Sequence, residues 1–291
     1  MTSRGPFQLS FRQKFAAYLL LCLLSIPALL PLTWMVSTSL KTDSQIFANS
    51  SSKVVPTVRL KNLIPRPVHW QNYPDALHTV PFTTYLKNTL WLCSFNVLGA
   101  VLSSAIVAYG FARLQFRGKN ALFLLMISTM ALPVQVTMIP VFALFRGLHW
   151  YGTYLPLIVP TYCGIPFYIF LLTQFYRSLP EELSEAARVD GASEWRIFAQ
   201  VLLPLSKPAL ATCALFQFLG TWNDFFGPLL YINASSRYTL AYGLQQFLAN
   251  HGGEWAKLMA AATLFVAPII VLFFFAQRTF IQGIATTGAK N

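Results

Sequence analysis

Long apolar runs, not strict alternation, organise this chain. They extend from about Phe15 to Val36, Leu86 to Phe111, Ala121 to Phe145, Tyr154 to Tyr176, Pro208 to Ile232 and Leu258 to Phe280. Each is close to the roughly 20 residues that carry a helix across the hydrocarbon core of a bilayer. A helix also satisfies its own backbone polar groups there. The pattern predicts an all-α polytopic membrane protein with six transmembrane helices. The first run follows Arg4, Arg12 and Lys14, as a signal peptide would, but it is too long and lacks a small-residue cleavage site. It reads as a first span over residues 15–36, after a tail over residues 1–14.

The polar stretches divide the rest. Residues 37–85, rich in Pro, Asn and Ser, read as an extramembrane loop with short interfacial helices around Trp70 to Leu77. Residues 86–280 read as a core domain holding the other five spans, with polar loops over 178–204 and 233–257 and a tail over 281–291. In the second run Gly99, Ala100, Ser103, Ser104, Ala105 and Ala108 are small residues that let helices approach closely. Pro133 and Pro140 in the third run, and Pro156, Pro160 and Pro166 in the fourth, predict kinks.

Composition agrees with a lipid environment. Only 10% of the 291 residues are charged and 55% are apolar, against roughly 25% charged in soluble domains. The net charge of +12 would suggest nucleic acid in a soluble protein. Here Lys and Arg gather at span ends, where they set orientation, and no basic stretch outside a span carries stacking aromatics. Nucleic acid is therefore not an expected partner; membrane lipid is. With the amino terminus inside, inner segments hold twelve Lys and Arg and outer ones nine. Arg113, Arg117 and Lys119 crowd one short inner loop, so both termini are expected in the cytoplasm. Cys22, Cys93, Cys163 and Cys213 each lie in a hydrophobic run without metal or redox spacing, and read as packing residues. His69, His78, His149 and His251 form no ligand pattern.

One loop stands out. Five of the nine acidic residues, Glu181, Glu182, Glu185, Asp190 and Glu194, fall within fourteen positions. Pro180 suits a first helical turn, and Glu181 and Glu182 suit the positive end of a helix dipole. Gly191 can adopt the left-handed conformation that ends a helix, and Ser193 can cap a second helix running through Trp195 and Phe198 to Pro204. A plain connector would need none of these signals. A short capped helix projecting from a membrane domain, with a small-residue face of Ala186, Ala187 and Gly191, suits docking into a partner's groove.

Those residues resemble a family motif. Glu185-Ala186-Ala187, three residues, Gly191, nine residues, Val201, one residue, Leu203-Pro204 is similar to the EAA loop of ABC importer permeases, which usually has Ile at the position of Val201. Further likeness to the maltose-type carbohydrate branch lies in Ser39-Leu40-Lys41, Trp222-Asn223-Asp224-Phe225, Tyr238-Thr239-Leu240, Gly243-Leu244-Gln245-Gln246-Phe247 and Phe280-Ile281-Gln282-Gly283. The resemblance implies a type I ABC importer permease fold in a bacterial cytoplasmic (inner) membrane, with the loop as a coupling helix seated in a cleft of an ATPase subunit. It implies that role for Glu185, Ala186, Ala187, Asp190 and Gly191. It also implies a second homologous permease forming a heterodimer, two ATPase subunits carrying ATP and Mg, and a periplasmic or lipoprotein substrate-binding protein. A loop between about Gln245 and Glu254, with Gln245, Gln246, Asn250, Gly252 and Gly253, would reach into the binding protein's sugar cleft.

Asp224 is the acidic residue that falls clearly inside an expected span, and an intramembrane ionisable group is a functional candidate. A structural hydrogen bond to neighbouring helices near the outer interface is the plainer reading. Gln217 and Asn223 could line a polar route, and Trp222, Phe225 and Phe226 could stack on sugar rings or simply pack. The chain has no G-x-x-x-x-G-K-S/T phosphate loop: Gly118-Lys119 lacks both the upstream Gly and the Ser/Thr. It therefore reads as a non-catalytic subunit with no cofactor of its own. A secondary transporter would show inverted repeats and several intramembrane ionisable groups, and an intramembrane enzyme would show paired carboxylates or a nucleophile motif. Neither is evident. The resemblance to the maltose-type branch implies a cargo among disaccharides, other oligosaccharides, glucosylated osmolytes and glycerol 3-phosphate.

Overall fold

The computed structural model describes residues 10–47, 63–250 and 252–288, with side chains undescribed at 276 and 278–288. The tail before residue 10, Lys53, Arg59 and Lys61 of the long loop, His251 and Lys290 lie outside the described residues. Among the described residues the regular structure is helical and no strand occurs. In chain order the helices are α1 (Phe11–Ser39), α2 (Asp43–Phe47), α3 (Asn72–Thr79), α4 (Phe82–Arg113), α5 (Lys119–Thr129), α6 (Val134–Gly147), α7 (Leu155–Ile158), α8 (Pro166–Ser178), α9 (Glu182–Val189), α10 (Glu194–Ile197), α11 (Leu203–Leu205), α12 (Lys207–Trp222), α13 (Phe226–Tyr231), α14 (Leu240–Asn250) and α15 (Trp255–Gly288).

Among the described residues four stretches are long and apolar enough to cross a bilayer: Phe11–Ser39, Phe82–Arg113, Leu155–Ser178 and Trp255–Phe275. The number rises to six when each of two bent helix pairs counts as one span. The first pair, α5 and α6, covers the stretch expected as one kinked span from Ala121 to Phe145. The two helices meet at 97°. Pro133 disfavours helical backbone at the residue before it, so the helix ends at Thr129 and a new one begins after Pro133. Pro140 stays inside α6. The expected fifth span is also interrupted: α12 ends at Trp222 and α13 begins at Phe226. The residues preceding α12 form the second bent pair, turning through 79° around Ser206.

The chain divides into two compact units, Met1–Val80 with Phe247–Leu264, and Pro81–Gln246 with Phe265–Asn291. In the first, Ser10 opens α1 with a capping box to Gln13. Apolar side chains of α1 such as Phe15, Leu23 and Ile26 are exposed, as suits lipid or a partner chain. The Ser39-Leu40-Lys41 stretch is fixed at the foot of α1. Asn72 Nδ2 donates to the Ser39 and Lys41 carbonyls at 2.8 and 2.7 Å, and Lys41 Nζ lies 4.9 Å from the centre of the Trp34 ring. Asp43 Oδ1 accepts from the Ala256 backbone N–H at 3.0 Å, at the start of α15.

In the second unit α4 is the central helix and packs against α8, α12 and the 3-10 turn Val159–Cys163. Its small residues work as the sequence predicts. Ala100, Ser104, Ala105 and Ala108 are fully buried. At Gly99 an added Cβ would stand 2.5 Å from the Tyr162 ring. Ser103 Oγ donates to the Thr161 carbonyl at 3.1 Å, and Ser104 Oγ accepts from the Ile165 N–H at 3.0 Å. Cys93 and Cys213 are buried packing residues, whereas Cys22 and Cys163 are exposed; all four thiols are free.

Candidate functional site

The acidic loop sits wholly in the second unit. The Leu179 backbone is extended where α8 ends, so the chain leaves that helix and re-enters helix at Glu182. Pro180 therefore lies just ahead of the first turn and not within it. Glu182 and Glu185 occupy the first turn of α9 and Arg188 its last, each charge placed favourably for the helix dipole. α9 ends in a Schellman motif. The Ala192 N–H donates to the Ala187 carbonyl at 2.9 Å and the Gly191 N–H to the Arg188 carbonyl at 3.0 Å. Gly191 supplies the left-handed residue, with φ of 77°. Ser193 then caps α10, its Oγ accepting from the Arg196 N–H at 3.4 Å. The capped helix, the glycine turn and the second helix thus form as the sequence predicts.

The second helix continues through a π-helical turn, Phe198–Leu202, into α11. Its buried face carries Ile197, Phe198 and Leu202. These join one core with Ala105, Ala108 and Tyr109 of α4, Leu172 and Tyr176 of α8, and Ala209 and Cys213 of α12. α9 is different. Glu185, Ala186, Asp190 and Gly191 are exposed, and Ala187 packs half-buried against the core. Leu183, Val189 and Trp195 also face outward, Val189 being 88% exposed. The loop therefore presents small, acidic and apolar groups together on a helix–turn–helix whose first helix, α9, lies outside every candidate span.

Four side chains hold this loop in place through contacts that the sequence does not signal. Arg188 Nε and Glu194 Oε1 form an ion pair at 2.7 Å. The Tyr109 hydroxyl donates to the other oxygen of Glu194. Buried Arg113 donates through Nη2 to the carbonyls of Tyr176, Leu179 and Pro180. The Glu194 carboxyl is held below the usual carboxylate range by the Arg188 bond first and by the Tyr109 hydroxyl second, with burial opposing. The Arg188 pKa is raised, chiefly by the same carboxylate. Arg113 counts as one of several orientation-setting charges in the sequence, and nothing there joins Tyr109 to a carboxylate 85 positions away.

The expected pathway residues turn inward or serve the backbone. Trp222 is fully buried and stacks on Phe218 with centroids 5.4 Å apart, so in this conformation its face is closed to a sugar ring. Phe225 packs on Tyr242 at 5.9 Å. Asn223 Nδ2 donates to the Leu219 carbonyl at 2.8 Å, and Asp224 Oδ1 accepts from the Gly227 N–H at 2.9 Å. Both groups thus service the break between α12 and α13. Gln217 is buried, and its Nε2 meets Thr221 Oγ1 at 3.2 Å, where Asn96 Nδ2 of α4 arrives at 3.3 Å. The stretch expected as a loop over 233–257 is largely helical. Gln245 and Gln246 lie on α14, Gln245 exposed and Gln246 Nε2 donating to the Tyr242 hydroxyl at 3.1 Å. Asn250 at the end of α14, Gly252 and Gly253 are exposed. Among the described residues no group of three or more His, Cys, Asp or Glu gathers as a metal site.

Comparison with known proteins matches residues 99–286 to the family described as binding-protein-dependent transport system inner membrane component. A putative ABC transporter permease protein of Caldicellulosiruptor sp. is 33% identical over 94% of this chain and 96% of its own length. The arabinooligosaccharides transport system permease protein of Halalkalibacterium halodurans is 35% identical over 72% of this chain and 75% of its own. The diacetylchitobiose uptake system permease protein of Streptomyces coelicolor is 29% identical over 91% and 86%. Among solved structures, a bacterial ABC transporter that imports the acidic polysaccharide alginate superposes with a TM-score of 0.78 at 24% identity, covering 95% of this chain and all of that one. That likeness concerns the fold.

Proposed function

We infer, since this chain belongs to the binding-protein-dependent transport system inner membrane component family, that it is the permease subunit of an ATP-driven importer whose cargo is a carbohydrate. It is a multi-pass membrane protein and a transport subunit, not a catalytic one. Relatives named for arabinooligosaccharides, diacetylchitobiose and alpha-glucoside support an oligosaccharide, disaccharide or related glycoside as cargo.

The observation that carries the reading is the exposed α9 with its left-handed turn at Gly191. α9 is the coupling helix. Ala186 and Gly191 let a partner's groove approach the backbone closely, Leu183 and Val189 supply apolar contact, and Glu185 and Asp190 face the partner's polar rim. Two ATPase subunits hold ATP and Mg; this chain's sequence has no G-x-x-x-x-G-K-S/T phosphate loop. Closure of the ATPases pushes α9, and the core formed by Ile197, Phe198, Tyr109 and Tyr176 carries the movement to α4 and α8. A second homologous permease completes the conduit, and both termini lie with α9 on the cytoplasmic side. On the opposite side Gln245, Gln246, Asn250, Gly252 and Gly253 meet the substrate-binding protein, which selects the sugar.

Purification of the tagged chain from its host membrane tests the assembly: an ATPase and a second permease are expected to accompany it. Reconstitution with the binding protein and a panel of sugars should then raise ATP hydrolysis for the cognate cargo. A chain that moves sugar without an ATPase would overturn the reading.

A further inference from the structure

The transport reading underlies this inference, which concerns how α9 is joined to the membrane helices. α9 buries little: Ser184 and half of Ala187 face inward, while Glu182, Leu183, Glu185, Ala186, Arg188 and Val189 are exposed. The Pro180 region precedes it and the left-handed Gly191 follows it. A helix held so lightly transmits a push only through the groups that tie it down.

We propose that Tyr109, Glu194 and Arg188 form the joint through which displacement of α9 reaches the central helix α4. One carboxylate serves both sides. Glu194 Oε1 accepts from Arg188 Nε at 2.7 Å, and Glu194 Oε2 accepts from the Tyr109 hydroxyl. Arg188 belongs to α9, Glu194 to α10 and Tyr109 to α4. Bonds to an ionised carboxylate are stronger and more directional than neutral ones, and the bonds from Arg188 and then Tyr109 favour the ionised form of Glu194. Beneath the polar bond the Tyr109 ring lies 5.3 Å from Phe198, and Phe198 lies 5.4 Å from Trp195. Ring contacts of this kind permit sliding. The hydroxyl-to-carboxylate bond adds a fixed point one turn from Arg113, at the end of α4 nearest the loop. Tyr109 is thus a positioning residue for the transport cycle.

The test uses the whole complex reconstituted in liposomes with its partner permease, ATPases and binding protein. ATP hydrolysis is read with and without sugar-loaded binding protein, together with sugar transported per ATP. Tyr109→Phe keeps the ring on Phe198 and removes only the hydroxyl. Assembly and hydrolysis are expected to persist, while transport per ATP falls about fivefold or more, the scale of ordinary coupling energies. Glu194→Gln keeps an acceptor for Tyr109 but loses the charge, and should fall between. Combining Tyr109→Phe with Arg188→Ala should cost no more than the worse single change, because groups in one linkage are not additive. Wild-type transport per ATP in Tyr109→Phe, additive losses, or failure of Tyr109→Phe to assemble would each overturn the joint. If the wild-type complex shows no stimulation by loaded binding protein, the transport reading falls and the joint with it. Normal wild-type stimulation with an unaltered Tyr109→Phe removes the joint alone.

Discussion

Arg113 Nη2 donates to the Leu179 carbonyl at 2.8 Å, and the same nitrogen reaches the carbonyls of Tyr176 at 3.0 Å and Pro180 at 3.3 Å. These carbonyls lie at the end of α8, where helical partners run out and the dipole favours a cation. One buried guanidinium at the end of α4 therefore sets where the chain leaves α8 and enters α9. Arg113→Ala strands the buried Tyr176 carbonyl, at about 1–3 kcal/mol for a buried group left unsatisfied, and removes the tether on the more open Leu179 and Pro180 carbonyls. Its purified complex should show a lower thermal midpoint and less associated ATPase. Arg113→Lys should be intermediate, since an ammonium lacks the planar fork of Arg. An unchanged midpoint and ATPase yield in Arg113→Ala would show these bonds to be idle.

Gly191 offers a cleaner test of the turn. No atom stands within 4 Å of a Cβ built there, so crowding is not the issue. The φ of 77° is. Left-handed backbone costs an L-residue about 1–2 kcal/mol, and a β-branched one is least suited to it. Gly191→Val should therefore reduce binding-protein-stimulated ATP hydrolysis strongly and Gly191→Ala less. Gly191→Asn should stay nearest to wild type, because Asn tolerates this region. A ranking in which Val and Asn behave alike would detach function from the turn's conformation.

How much was legible in the sequence follows from how local each signal is. The capped helix, the Gly191 turn and the Ser193 cap are decided within a few residues of one another, and the sequence predicts all of them. The long apolar helices are equally local. The 97° break before Pro133 needed the whole-chain packing, because a proline in a span permits either a kink or a full stop. The same holds for the core. Whether Trp222 faces a pathway or packs on Phe218 depends on neighbours the sequence does not place. Tyr109 and Glu194 meet only because α4 and α10 share a core, so neither residue carries a sequence signal of the contact.

Charge on the exposed face of α9 should matter for docking and not for folding. Glu185 is solvent-exposed in the first helical turn, where its charge also favours the dipole. Glu185→Lys should cost little stability, a few tenths to about 1 kcal/mol from the lost dipole interaction. The chain should still insert at normal levels. Stimulated ATP hydrolysis by the assembled complex should nevertheless drop, because a positive charge now faces the partner. Glu185→Gln should drop less. Full stimulation in Glu185→Lys would place the ATPase contact elsewhere.

The polar cluster between α4 and α12 makes a prediction about the membrane interior. Thr221 Oγ1 is the shared acceptor for Asn96 Nδ2 at 3.3 Å and Gln217 Nε2 at 3.2 Å, and both amides are buried. Thr221→Val keeps the shape and deletes the acceptor. Each amide then loses a partner where water is scarce, a cost of about 1–3 kcal/mol per buried group. Thr221→Val should lower the thermal midpoint of the detergent-purified chain, and Thr221→Ser should hold it near wild type. Adding Asn96→Leu to Thr221→Val should recover part of the loss, because removing both partners spares the desolvation penalty that stranding one incurs. If Thr221→Val instead keeps its midpoint but transport falls, the hydroxyl acts on the cargo, and the cluster belongs to the conduit after all.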